Sequence, residues 1–159
     1  MEKLSLILWR ERELLETLLY RLEVEQLVLA SGRTHGLMRA AREVESTLED
    51  LRATEVMRAV AADEAAAAVG LPANPALRQL AEASPEPWRT MLLDHREAFT
   101  TVTRQITEMA DANRDLITSG YRSARETLLS FGDGEAQGYS PDGSVVTGPT
   151  ASGLLDRSL

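Results

Sequence analysis

The chain has no cysteine, only two histidines and few aromatic residues, 4% of the total. Without cysteine it forms neither a disulfide framework nor a thiolate metal site or nucleophile. His35 and His95 lie far apart, so neither has a second imidazole within a turn or two with which to share a metal. Scarce aromatics leave Leu, Val and Ala to fill the interior of a chain that is 43% hydrophobic, and such interiors belong to helical bundles. Long apolar runs are missing as well. The burst from Leu4 to Trp9 meets Arg10, Glu11, Arg12 and Glu13 at once, too short for a signal peptide or a membrane span, which predicts a soluble cytoplasmic protein without membrane insertion. Positive charge is in deficit. A formal net charge of −8 sets a mean field that repels phosphate, which argues against nucleic-acid or anionic-lipid partners.

What the chain does contain is helical periodicity, enough over 159 residues for one modest domain. A first helix is predicted over Lys3 to Leu29, where Leu4, Leu8, Leu15, Leu18, Leu22 and Leu29 share a face, although Glu11 and Glu25 fall where a strict heptad seam wants apolar groups. Arg12 to Glu16 and Arg21 to Glu25 are four-residue charge pairs on its outer side. The run Ser31 to Gly36 reads as a short turn, which favours an antiparallel neighbour. A second helix then starts near Leu37, uses Leu37, Ala41, Val44, Leu48 and Leu51 with Met57 and Val60, and continues through the alanines to a stop at Gly70. Asn74 is a candidate cap for a short helix carrying Leu77, Leu80 and Ala81 that covers one end of the bundle. The third long helix is predicted from about Pro87, with Ser84 a candidate cap, to Leu129. In its first half Trp88, Leu92, His95, Phe99, Val102, Ile106 and Met109 alternate in steps of four and three; its second half carries Leu116, Ile117, Ala124, Leu128 and Leu129, interrupted by Asn113 and Gly120.

The fold class is therefore all-α: an antiparallel bundle of three long helices plus one short helix, over residues 1–131. Residues 132–159, rich in Gly, Ser and Pro, are expected to form a disordered tail. At about 1.5 Å per residue the third helix reaches roughly 60 Å, longer than a compact globule covers, so its distal stripe needs long partners or a second molecule.

Chemistry is not supported. HExxH, Walker, Rossmann and calcium-loop motifs are absent, no Glu-x-x-His occurs to make Glu11 and Glu25 part of a dimetal site, and no serine sits in a nucleophile elbow. No catalytic residue, metal or cofactor is expected. His35 reads as an exposed turn residue and His95 as bridging core and rim. Asn113 continues the inward spacing and has two roles open to it, setting register within the bundle or receiving a partner helix. Gly120 marks either a close approach by another backbone or a compliant point. Tyr121 and Arg125, four apart, frame a partner or stack locally.

Three segments carry a resemblance: Leu8-Trp9-Arg10-Glu11-Arg12-Glu13-Leu14-Leu15-Glu16, the step from Ala110 through Asn113 and Arg114 to Leu116, and Tyr121-Arg122-Ser123-Ala124-Arg125-Glu126-Thr127-Leu128. In order and placement they resemble the FlgN family of flagellar export chaperones, especially its Gram-positive and actinobacterial members, over roughly residues 1–131; the run Tyr139-Ser140-Pro141-Asp142-Gly143 is similar too. The resemblance implies long antiparallel helices and a non-enzymatic chaperone. Its partners would be the hook-filament junction proteins FlgK and FlgL, bound near their C-termini, kept unpolymerised and presented to the type III export apparatus. It also implies a binding surface toward the C-terminal part of the chaperone, which here falls on Asn113, Leu116, Ile117, Gly120, Tyr121, Ala124 and Leu128. The glycine-rich tail departs from shorter members and has no assigned role: contact with the export machinery, occupation of the empty groove, or neither. The alternative reading is a coiled-coil structural protein or self-associating adaptor, a homodimer paired through Leu8, Leu15, Leu22 and Leu29.

Overall fold

The computed structural model describes residues 1–134, 138–139 and 145–146. Two compact units divide the chain, Met1–Leu116 and Ile117–Leu159. The helices are α1 (Glu2–Ala30), α2 (Leu37–Ala68), α3 (Leu77–Ala83) and α4 (Trp88–Gly134), with a single 3-10 turn, Thr34–Gly36, between the first two. Three long helices and one short one match the expectation, and α4 runs unbroken through Gly120. The disorder predicted for 132–159 falls mainly outside the described residues. The described part includes the end of α4 and a two-residue antiparallel pair, β1 (Gly138–Tyr139) with β2 (Val145–Val146).

In the first unit α2 runs antiparallel to α1. Lys3 Nζ meets Glu64 Oε1 at 2.7 Å, Arg58 meets Glu11 at 3.3 Å, and the Arg21 guanidinium donates to the Glu43 carbonyl and the Thr47 hydroxyl. The start of α4 runs parallel to α1: Ser5 Oγ donates to Met91 Sδ at 3.2 Å, the Trp9 and His95 rings meet edge to face at 4.8 Å, and the Asn113 amide reaches the Leu22 carbonyl. The order is up, down, up. Gly70 ends α2 as predicted, with a left-handed φ of +74° that lets Leu71 N–H bond back to the Ala66 carbonyl at 2.9 Å and so closes the last turn.

Packing separates into two apolar clusters. One joins Leu4 and Leu8 of α1, Ala61, Ala65 and Ala66 of α2, Leu80 and Ala81 of α3, and Leu92 of α4. The other joins Leu14, Leu18, Leu22 and Leu51, backed by Ile106 and Met109. Between the clusters α1 carries Glu11 and α2 carries Thr54 and Arg58; on α4 the buried His95 lies between Leu92 and Phe99, and Val102 follows as an apolar residue. This polar layer interrupts an otherwise aliphatic seam.

Four local expectations are corrected. The inward face of α2 carries Ala40, Thr47, Leu51, Thr54, Ala61 and Ala65, while Met57 and Val60 lie outside. Small residues there allow α1 and α2 to approach closely, which outweighs burial of the larger side chains. Arg21 reaches across to α2 and does not pair with Glu25, which accepts a hydrogen bond from Asn113. Asn74 does not cap α3; at φ +58° it donates its N–H to Asp63 at 2.6 Å, and the cap residue is Ala76, whose N–H bonds Gln79 Oε1. Ser84 donates back to the Leu80 carbonyl, and the carboxylate of Glu86 serves the first turn of α4 instead, accepting from Thr90 N–H and Oγ1.

Candidate partner-binding surface

Between Trp88 and Asn113 the inward residues of α4 follow the predicted four-three alternation, with Leu92, His95, Val102 and Asn113 buried. Asn113 is 3% exposed, and its Nδ2 donates to the Leu22 carbonyl and to Glu25 Oε2, both at 3.0 Å. These bonds fix the register of α4 against α1, the first of the two roles open to this residue. Truncation by Asn113→Ala removes both and is expected to lower unfolding free energy by about 1–3 kcal/mol, measured by urea unfolding. Leu116, one turn on, is already 37% exposed.

In the second unit every described α4 side chain from 117 to 131 is exposed. Ile117 is 50% exposed, Tyr121 72%, Leu128 72% and Phe131 70%. With Ala124 these residues step by four, three, four and three, which puts them on one side of a helix of 3.6 residues per turn. Phe131 was not among the predicted surface residues, though its place three positions after Leu128 gives the signal. The alternation is not uniform, because Asn113, Ile117 and Tyr121 follow one another by steps of four. That is the extra residue that unwinds a heptad drift. Around Gly120 an added Cβ would meet nothing within 4 Å among the described residues.

The polar layer is the other place where chemistry could reside. His95 is 2% exposed, and neither ring nitrogen has a hydrogen-bond partner. Its neighbours are the Trp9 edge and the Phe99 ring, 5.8 Å away, with Arg12 over Trp9. Burial and, second, the Arg12 charge push its pKa below the ordinary value, against the opposing pull of Asp94, so the ring is neutral at physiological pH. Glu11 is shifted the other way: desolvation raises its pKa more than Arg58 lowers it. A groove of about 490 Å³ passes Trp9, Met91 and His95. The imidazole nitrogens themselves are sealed from it, and neither makes the hydrogen bond to a nucleophile that a general base would need. Among the described residues no group of three His, Asp or Glu side chains could hold a metal, and no helix is long and apolar enough to cross a membrane.

The residues predicted to contact a partner thus fall into two sorts. Asn113 is inside and bonded; Leu116, Ile117, Gly120, Tyr121, Ala124 and Leu128 stand open to solvent. A family model described as FlgN protein matches residues 1–147, which takes in all four helices. No curated protein and no solved structure matches the chain.

Proposed function

We propose that this chain, which belongs to the FlgN family of flagellar export chaperones, receives the C-terminal helical region of a hook-filament junction protein of the FlgK or FlgL kind in the cytoplasm. It holds that guest unassembled for the type III export apparatus. The family is one of chaperones and not of enzymes, and the work requires no cofactor. One observation carries the reading: the apolar stripe of Ile117, Tyr121, Ala124, Leu128 and Phe131 has no cover from the described residues. A guest helix laid along it buries roughly 600 Å² of apolar area, a gross gain of about 15 kcal/mol. Association and ordering remove about 4–15 kcal/mol of that, which leaves room for micromolar to nanomolar binding.

The test is calorimetric titration of the full chain with the C-terminal segment of a hook-filament junction protein from the same cell. One-to-one binding in that affinity range is expected. Absence of heat and of co-elution defeats the reading. The self-associating alternative needs Leu8 and Leu22 at a dimer seam, yet both are buried against α2 and α4 within the first unit. Light scattering across concentration checks it, and a tight dimer indifferent to the junction segment would favour that alternative.

A further inference from the structure

We infer that the guest helix is acidic along one edge of its apolar face, an inference that rests on the reading of the α4 stripe as a guest site. Between Ile117 and Phe131 the charged residues are Arg122, Arg125 and Glu126. At about 100° per residue, Arg125 lies about 80° from the stripe's midline and Arg122 about 140° on the same side, while Glu126 lies directly opposite. The other edge carries Gly120 and Thr127 and no charge. Neither Arg122 nor Arg125 has an ion-pair partner among the described residues. In a chain of net charge −8, the open apolar face of α4 from Ile117 to Phe131 thus has charge along one edge alone, and that charge is cationic.

A second copy of the stripe does not supply the missing carboxylates. Pairing two stripes antiparallel about a two-fold axis sets each edge against itself, Arg125 against Arg125, and parallel pairing sets it against the edge with Gly120 and Thr127. A guest with Glu or Asp beside its apolar residues pairs with Arg125 and fixes its own orientation, while Arg122, farther round the helix, adds its charge to the field on that edge. The long-range repulsion from the acidic chain is screened beyond about 8–10 Å at physiological salt, so the local arginines decide the docking.

Two synthetic helical peptides of equal length test this against the full chain by calorimetry. Both carry Leu and Ile at four-three spacing, one flanked by Glu and the other by Lys. The Glu peptide is expected to bind at least about tenfold tighter at low salt, with the ratio falling to about one in 1 M salt and reversing in Arg122→Glu/Arg125→Glu. Both positions are exposed, and an unchanged circular-dichroism signal checks that the variant folds. Equal affinities, tighter binding of the Lys peptide, or binding of neither overturns the inference. So does concentration-dependent dimerisation lost in Leu128→Asp, which would name a second copy as the occupant. A junction-protein segment whose binding is lost in Leu128→Asp but unmoved by the arginine reversal overturns the charge inference alone and leaves the chaperone reading standing. Failure of that segment to bind the unaltered chain removes both.

Discussion

The full chain carrying Ile117→Asp and Leu128→Asp keeps its helical circular-dichroism signal and loses at least about 100-fold in affinity for the junction-protein segment. The two outcomes separate because of where the side chains are. Both are half or more exposed, and substitutions at exposed helical sites change stability by about 0.5 kcal/mol or less. In the complex the same side chains are covered, each contributing about 1.5–3 kcal/mol of apolar burial, and an aspartate there must also be desolvated without a partner. Loss of the two contributions amounts to about 3–6 kcal/mol, so a 100-fold change, about 2.7 kcal/mol, is the lower bound. Calorimetry reads the affinity and circular dichroism the fold. Undiminished affinity in a folded double variant moves the guest elsewhere, and the exposed apolar residues Val56 and Val60 of α2 become the next surface to test.

The polar layer gives the second large effect, with a sign that depends on which partner is removed. Arg58→Ala leaves the Glu11 carboxylate buried and without its counter-charge. A fully buried pair broken this way loses about 3–5 kcal/mol; since Arg58 is 40% exposed, about 1–3 kcal/mol is expected here. Glu11→Leu leaves only Arg58, which reaches water, and joins the two apolar clusters; it is expected to be neutral or to stabilise by about 1–4 kcal/mol. Their pH dependence follows from the direction of each shift. Glu11 has its folded pKa raised above 4.5, so its contribution to stability is fully present below that value and is lost as pH rises through the raised one. The gain from Glu11→Leu is therefore largest near neutrality and fades in acid. His95 behaves oppositely: its folded pKa lies below 6.5, so its contribution is present above 6.5 and is lost as pH falls through the lowered value. The gain from His95→Leu grows on acidification. Urea midpoints of the three variants between about pH 8 and pH 4 check all of these signs, and parallel pH profiles for Glu11→Leu and His95→Leu would contradict the assignment.

Sequence periodicity served best where large apolar residues occupy the inward positions. The face of α4 from Trp88 to Met109 was legible because Leu92, Phe99, Val102 and Ile106 stand out from their neighbours, and Glu11 was visible as a misfit in the α1 seam. The face of α2 was not. Its inward positions are held by Ala40, Thr47, Thr54, Ala61 and Ala65, which no hydrophobicity pattern distinguishes, while Met57 and Val60 point to the wrong side. Cross-helix polar choices were equally hidden, since nothing in the spacing tells Arg21 to prefer Glu43 and Thr47 over Glu25. The distal stripe was half legible: Ile117, Tyr121, Ala124 and Leu128 could be read from their spacing, whereas spacing left Asn113 two roles and its bonds to Leu22 and Glu25 put it in the interior.

The parallel alignment of α1 with the start of α4 has a consequence for how the bundle assembles. α1 and α2 are joined by a short turn and form a hairpin from nearby residues, but the hydrogen bond from Asn113 to Leu22 spans 91 positions in the chain. Closing so wide a loop is slow next to zipping a hairpin. The hairpin is thus the early product of folding and α4 the late arrival, so a newly made chain exposes the whole greasy length of its last helix before any of it has found shelter.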